Sequence, residues 1–218
     1  MGRNIDAIVS NKLYLGNITA ARSTRSLTEH RITHILSVCQ DQIPAEHPQS
    51  GLNHLRISVD DVDYADLLIH LPSACRFIDQ AIRSGGVILV HCSNGVSTSA
   101  AVIVAYLMWS RRVGVTQAIE FVRTARDQIW INPGFHEQLV LFELCQYAPS
   151  LSNGVYVSWR TKLDRRLKEA GYSYYLVNEG GWFSQFLGLD VLFFFFFFCL
   201  FYLHTSCVYY HTCAKTFN

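Results

Sequence analysis

Apolar and polar positions fall into short blocks along the first 150 residues. Ile8, Val9, Leu13, Tyr14 and Leu15 flank the polar pair Ser10-Asn11, so Asp6 to Leu15 predicts two short strands around a turn. Thr19 to His30 places Ala20, Ala21 and Leu27 on one side, the pattern of an amphipathic helix. Ile32 to Val38 predicts a buried strand, and Asp41 to Gly51 a loop rich in Pro and Gln. Leu55, Ile57 and Val59 alternate within Leu52 to Val59, as a half-buried strand requires. An acidic loop, Asp60 to Asp66, comes next. Leu67, Leu68, Leu71, Ala74, Cys75, Ile78 and Ile82 then recur at helical spacing, predicting a helix over Leu67 to Ser84. Asp66 is its expected N-cap, and Gly85-Gly86 ends it.

The stretch Val87 to Ala105 organises the rest. Val87 to Val90 is a run of four apolar residues, the mark of a buried strand in a parallel sheet. Ala100 to Met108 is apolar all round, the mark of a buried helix. Val115 to Arg126 predicts a further helix capped by Thr116, and Phe135 to Tyr147 another after Asn132-Pro133-Gly134. Strands alternating with helices predict an α/β fold: one mostly parallel central sheet flanked by helices.

A small polar loop separates the central strand from the buried helix, and it contains Cys92 and Gly95. A helix N-terminus presents unpaired N–H groups and a partial positive charge, a natural anion site. The same groups favour a thiolate. Cys92 is thus the candidate nucleophile and the loop a candidate phosphate cradle.

His91-Cys92-Ser93-Asn94-Gly95-Val96-Ser97-Thr98-Ser99 resembles the H-C-x-x-G-x-x-R-S loop of the cysteine-dependent protein tyrosine phosphatases. The flanking VSTSAAVIVAYLM, the opening IVSNKLYLGN, the block ITHILSV and the closing FHEQLVLFE resemble the dual-specificity branch, across roughly residues 7 to 150. The resemblance implies phosphoryl transfer from phosphotyrosine or phosphoserine/threonine to Cys92, with no cofactor and no metal. It implies a phosphate cradle of Ser93, Asn94, Gly95, Val96, Ser97 and Thr98. His91 would orient the loop, and Ser99 would help the thiolate leave, or cap the helix. Asp61, five residues before Asp66, matches the register of the family's general acid, with Asp60 the alternate. Thr98 stands where the family has arginine. A guanidinium grips two phosphate oxygens at once, and threonine offers one neutral hydroxyl. Two functions follow: a phosphatase impaired at Thr98, or a catalytically dead phosphatase-fold module that binds phosphoproteins. Arg111, Arg112, Arg123 and Arg126 are the nearest arginines in sequence; the first two lie over three helical turns from the loop, about 20 Å at 1.5 Å per residue, which leaves Arg123 and Arg126 of a later helix as those that could approach it.

Charge changes this picture little. The net charge is +1 with 16% charged residues, which argues against a nucleic-acid partner held by bulk electrostatics. Seven cysteines, an odd number, with the first four widely spaced, suggest reduced thiols and a cytoplasmic or nuclear location. The N-terminus shows no secretory h-region, and Asp6 stands where a myristoylation signal needs Ser or Thr.

Beyond residue 150 the chain changes character. Trp159 to Ala170 predicts a basic helix with Arg160, Lys162, Arg165, Arg166 and Lys168, either solvated and packed through Trp159, Leu163 and Leu167, or a docking surface for acidic partners. This extension spans residues 151 to 176. From 177 to 218 the sequence is apolar and aromatic, with six consecutive phenylalanines, Phe193 to Phe198. Three readings stand: translated non-coding sequence, a C-terminal membrane anchor within 186–203, or a buried or aggregation-prone segment. The anchor would leave the domain facing the cytosol. The spacing of His204, Cys207, His211 and Cys213 matches no zinc pattern.

Overall fold

The computed structural model describes residues 4–172. The tail at 177–218, with its three readings and its His and Cys residues, lies outside the described residues. The described chain runs β1 (Ile5–Val9), β2 (Leu13–Asn17), α1 (Ile18–Arg22), α2 (Thr24–Glu29), β3 (His34–Ser37), β4 (Asn53–Arg56), α3 (Leu71–Arg83), β5 (Ile88–Cys92), α4 (Thr98–Arg111), α5 (Val115–Ala125), α6 (Pro133–Leu144) and α7 (Gly154–Glu169). The five strands form one sheet in the order β1-β2-β5-β3-β4. Only the β1–β2 pair is antiparallel; the remaining pairs are parallel. Asn11, with φ of 57°, makes the turn between β1 and β2.

Strand β5 is central because it is apolar on both faces. Ile88 and Val90 join the larger core with Leu13, Leu15, Leu36 and α3 to α7, whereas Leu89 joins a smaller cluster with Tyr14, Ile35 and Ala21. Helix α4 is buried from Thr98 through Met108, as its uniformly apolar sequence requires. Helix α7 closes the larger core with Tyr156, Trp159, Leu163 and Leu167.

Four local expectations are corrected. Thr19 to His30 is two short helices, because Ser23 ends α1 and its hydroxyl accepts from the Ser26 amide to start α2. The strand expected over Leu52 to Val59 pairs only from Asn53 to Arg56; Ile57 and Val59 are buried beyond the ladder. Helix α5 begins after Gly114, and Thr116 does not cap it. The helix expected from Leu67 begins as a 3-10 turn, Leu68–His70, and becomes α-helical at Leu71. Asp66 still serves that start, since its Oδ1 accepts from the Ile69 amide at 3.3 Å. The amides of Leu67 and Leu68 instead donate to Oε1 of the fully buried Gln138, at 2.9 and 2.8 Å.

Candidate active site

Cys92 is the last residue of β5, and Ser99 lies in the first turn of α4. The loop between them brings Cys92 Sγ within 3.2 Å of the Gly95 amide and 3.1 Å of the Ser99 hydroxyl, and both donate to the sulfur. Gly95 permits this turn in two ways. Its φ is 70°, and a Cβ would lie 2.5 Å from the Gly16 carbonyl oxygen. The residue before α4 is Ser97, and its side chain makes no capping bond, so Ser99 serves the sulfur instead of the helix end.

The loop carbonyls are tied on the outside. Cys92 O faces His91 Nδ1 at 3.4 Å, and Ser93 O accepts from the Ile18 amide at 3.2 Å. Asn94 O faces Arg126 Nη2 at 3.5 Å, and Val96 O accepts from the Trp130 amide at 2.8 Å. In a planar trans peptide the N–H points opposite the carbonyl. Each tie therefore turns the following amide, from Ser93, Asn94, Gly95 and Ser97, toward the interior of the loop. The Gly95 amide on Cys92 Sγ shows this orientation directly. The cradle is thus built of backbone, and the side chains at Ser93, Asn94 and Val96 are not what shapes it.

Arg126 braces the loop from behind. Its Nη1 lies 2.7 Å from Asp6 Oδ2 in a buried ion pair, so it does not enter the phosphate position. Arg111 stacks on Phe121 and Arg112 on Tyr147. Arg123 lines a separate surface pocket with Trp130 and His136. The pocket over Cys92 holds about 190 Å³ and is lined by Val38, Cys39, Gln40, Asp41, Val59, Asp60, Asp61, Ser93, Asn94 and Thr98 besides the cysteine. Among the described residues, its lining contains three carboxylates and no lysine or arginine. Thr98 is 2% exposed and lines this pocket.

Asp61 is placed by two donors. Ser97 Oγ donates to its Oδ1 at 2.6 Å and Asn132 Nδ2 at 2.7 Å. That leaves Oδ2 as the oxygen open to carry a proton at the pocket. Asp60 lines the same pocket without these ties. The segment after Asp61 is held as well. A Cβ on Gly134 would fall 1.8 Å from the Asp63 carbonyl oxygen, and Gln138 Nε2 donates to Ala65 O at 2.8 Å. Tyr156 OH donates to Asp66 Oδ2 at 2.7 Å, so α7 reaches the far end of the acid loop.

Asp41 enters from the loop after β3, where its Oδ2 accepts from Ser93 Oγ at 2.8 Å. Arg56 holds that loop, donating to the carbonyls of Cys39 and Asp41 and pairing with Glu46. Sequence alone gives no site role to Asn132, Gln138, Asp41 or Asp6. Asn132 offered the one usable signal, an Asn directly before Pro133 at a helix start, and its Oδ1 does cap α6 by accepting from Phe135 N at 2.8 Å.

The described cysteines differ in environment. Burial raises the pKa of the Cys39, Cys75 and Cys145 thiols. Burial also pushes His91 down to about 4, so the imidazole is neutral near neutral pH.

The fold thus brings a strand-ending cysteine, an amide-lined loop, a helix N-terminus and a facing aspartate around one pocket. Residues 13–145 match the family described as dual specificity phosphatase, catalytic domain. Human dual specificity phosphatase 28 is 38% identical over 146 residues, which cover 67% of this chain and 82% of that protein. Dual specificity protein phosphatase 1B of Arabidopsis thaliana is 38% identical over 135 residues, covering 62% and 80%. The crystal structure of human DUSP28 superposes with a TM-score of 0.62 at 34% identity, covering 68% of this chain and 98% of that one. A human tyrosine phosphatase-like serine/threonine/tyrosine-interacting protein superposes with a TM-score of 0.62 at 28% identity, covering 67% and 100%. The chain belongs to the dual specificity phosphatase family.

Proposed function

We propose that this chain is a dual specificity-type protein phosphatase in which Cys92 is the nucleophile, Asp61 the general acid, and Thr98 the reason that turnover is slow. The substrate class is a phosphorylated protein. The Cys92 thiolate attacks phosphorus, and the bond to the phenolic or alkoxide oxygen breaks as that oxygen takes the proton from Asp61 Oδ2. Water, deprotonated by the same carboxylate, then attacks the phosphocysteine, and the Ser99 hydroxyl stabilises the departing thiolate. The inward amides meet the equatorial oxygens, whose charge must be stabilised throughout. The observation that carries the reading is the pair of donors on Cys92 Sγ, from Gly95 N and Ser99 Oγ.

The missing cation sets the rate. Removing one preorganised oxyanion donor costs about 100- to 1,000-fold in kcat, and a bidentate guanidinium does more than one donor. A second reading, a phosphatase-fold module that binds phosphoproteins without useful turnover, is favoured by the pocket lining, which among the described residues holds no lysine or arginine. Acid-quenched mass spectrometry after mixing with excess aryl phosphate separates the two. The first reading expects a phosphorylated Cys92 peptide that disappears in Cys92→Ser. No phosphocysteine, together with measurable oxyanion binding, selects the second.

A further inference from the structure

Three neighbouring parallel strands carry a hydrogen-bonded chain that ends at the phosphate loop. Ser37 of β3 is paired in register with His91 of β5, and β4 lies on the other side of β3. Side chains alternate between faces of a strand. Leu89 and Ile35 occupy the smaller core, so His91 and Ser37 share that face. His54 of β4, paired with Ile35, shares it too. Ser37 Oγ lies 2.7 Å from His91 Nε2 and 2.8 Å from His54 Nε2. His91 Nδ1 in turn lies 3.4 Å from the Cys92 carbonyl oxygen. Ser37 and His91 are fully buried, and His54 is half-buried at the edge strand, beside Glu46 and Arg56.

The serine hydroxyl has one proton to give, and two ring nitrogens face it. If it goes to His54, a neutral His91 must carry its own proton on Nε2. Its Nδ1 lone pair then faces the Cys92 carbonyl, two acceptors opposed in a buried site. If it goes to His91 Nε2, the His91 proton sits on Nδ1 and donates to that carbonyl. His54 then donates its Nε2–H to Ser37 Oγ. Only this arrangement pairs every group. His54 offers the same Nε2–H whether it is neutral or protonated, so the chain keeps its direction through a titration of His54.

We propose that Ser37 and His54 are positioning residues of the phosphate loop: they hold His91 as its Nδ1–H tautomer, which anchors the Cys92 carbonyl and aims the Ser93 amide into the cradle. The proposal rests on the reading of that loop as an oxyanion site. The planar Cys92–Ser93 peptide transmits the effect, because fixing its carbonyl outward fixes its N–H inward.

The test is the 15N spectrum of the histidine rings in the full chain, with tungstate binding measured on the same samples. The natural protein is expected to show His91 with a protonated Nδ1 and an unprotonated Nε2. Ser37→Ala is expected to mix the tautomers and weaken tungstate binding about tenfold, the effect of one misdirected hydrogen bond. His54→Leu is expected to move both readouts in the same direction, and His54→Gln, which restores a side-chain N–H, to return them toward natural values. Since His54 is half-buried, its variants keep the test intact if Ser37→Ala does not fold. His91 protonated on Nε2 in the natural protein, or an unchanged tautomer in both Ser37→Ala and His54→Leu, overturns the proposal. A shifted tautomer with unchanged tungstate affinity overturns the positioning role. A natural chain that binds no tungstate instead overturns the oxyanion site itself, and the tautomer spectra then judge the relay alone.

Discussion

Ser97 Oγ and Asp61 Oδ1 meet at 2.6 Å, so the phosphate loop and the acid loop are joined by a hydrogen bond 36 residues long in sequence. Asn132 donates to the same oxygen, at 2.7 Å. The acid is therefore oriented by groups that do not themselves react. Asp61→Asn should lower the rate on an alkyl phosphate by about 100-fold, a general-acid contribution, and hardly affect an activated aryl phosphate, which needs no proton. Asn132→Leu should act in the same direction but more weakly, because Ser97 remains. Rates measured for both esters in the Thr98→Arg background check this. Equal losses on both esters would show that Asp61 is not the proton donor.

Thiol reactivity should separate the cysteines. Cys92 Sγ lines the open pocket and accepts hydrogen bonds from Gly95 N and Ser99 Oγ, whereas burial disfavours the thiolates of Cys39, Cys75 and Cys145. Iodoacetamide near neutral pH should alkylate Cys92 first among these four, and phosphate should slow it. Peptide mapping over time checks the order. Ser99→Ala should slow Cys92 alkylation by removing one donor.

Stability should fall in mild acid. His91 titrates at about 4 in the fold because burial disfavours its charged form, against about 6.5 when exposed. Between these values the unfolded chain binds more protons, so unfolding becomes easier as pH falls. The contribution is fully present above pH 6.5 and lost on the way to pH 4, about 3 kcal/mol for this histidine. Burial lowers His54 and His70 too, adding to the same slope. Urea midpoints from pH 7 to pH 4.5 check it; His91→Gln should flatten the slope.

Asp41 places a carboxylate on Ser93 at the mouth of the cradle. Two unit charges about 6 Å apart repel by roughly 0.7 kcal/mol in water and more near a protein surface. Asp41→Asn should therefore tighten tungstate binding several-fold at low salt, and the gain should shrink as salt is added. Calorimetric titration at two ionic strengths checks both parts.

The strand, loop and helix around Cys92 were legible because each announces itself locally: an apolar run, small polar residues, then an apolar helix. The flanking blocks fixed the family for the same reason. The shape of the cradle was not legible. It depends on the outward ties of Cys92, Ser93, Asn94 and Val96, whose partners come from three segments: His91 of β5, Ile18 of α1, and Arg126 and Trp130 of the α5–α6 connection. Arg126 reads in sequence as a candidate cation, and only its contacts with Asp6, 120 residues away, and with the Asn94 carbonyl show that it braces the loop from outside. Gln138 lies 71 residues from the amide of Leu67 and reads in sequence as an ordinary polar helix position. Thr19 to His30 misled for a smaller reason: Ser23 both ends one helix and starts the next, and the apolar spacing continues across the break.

The most direct measurement is kcat/KM on an aryl phosphate for the natural chain and for Thr98→Arg, each with and without Cys92→Ser. The loop keeps Cys92, its inward amides, its Ser99 donor and a placed Asp61, and among the described residues its lining holds no cation. Thr98→Arg should raise kcat/KM by at least about 100-fold, the lower end for one oxyanion donor, and Cys92→Ser should abolish the gain. A natural chain already as fast as Thr98→Arg would contradict the account, as would a Thr98→Arg variant that binds tungstate yet stays inert.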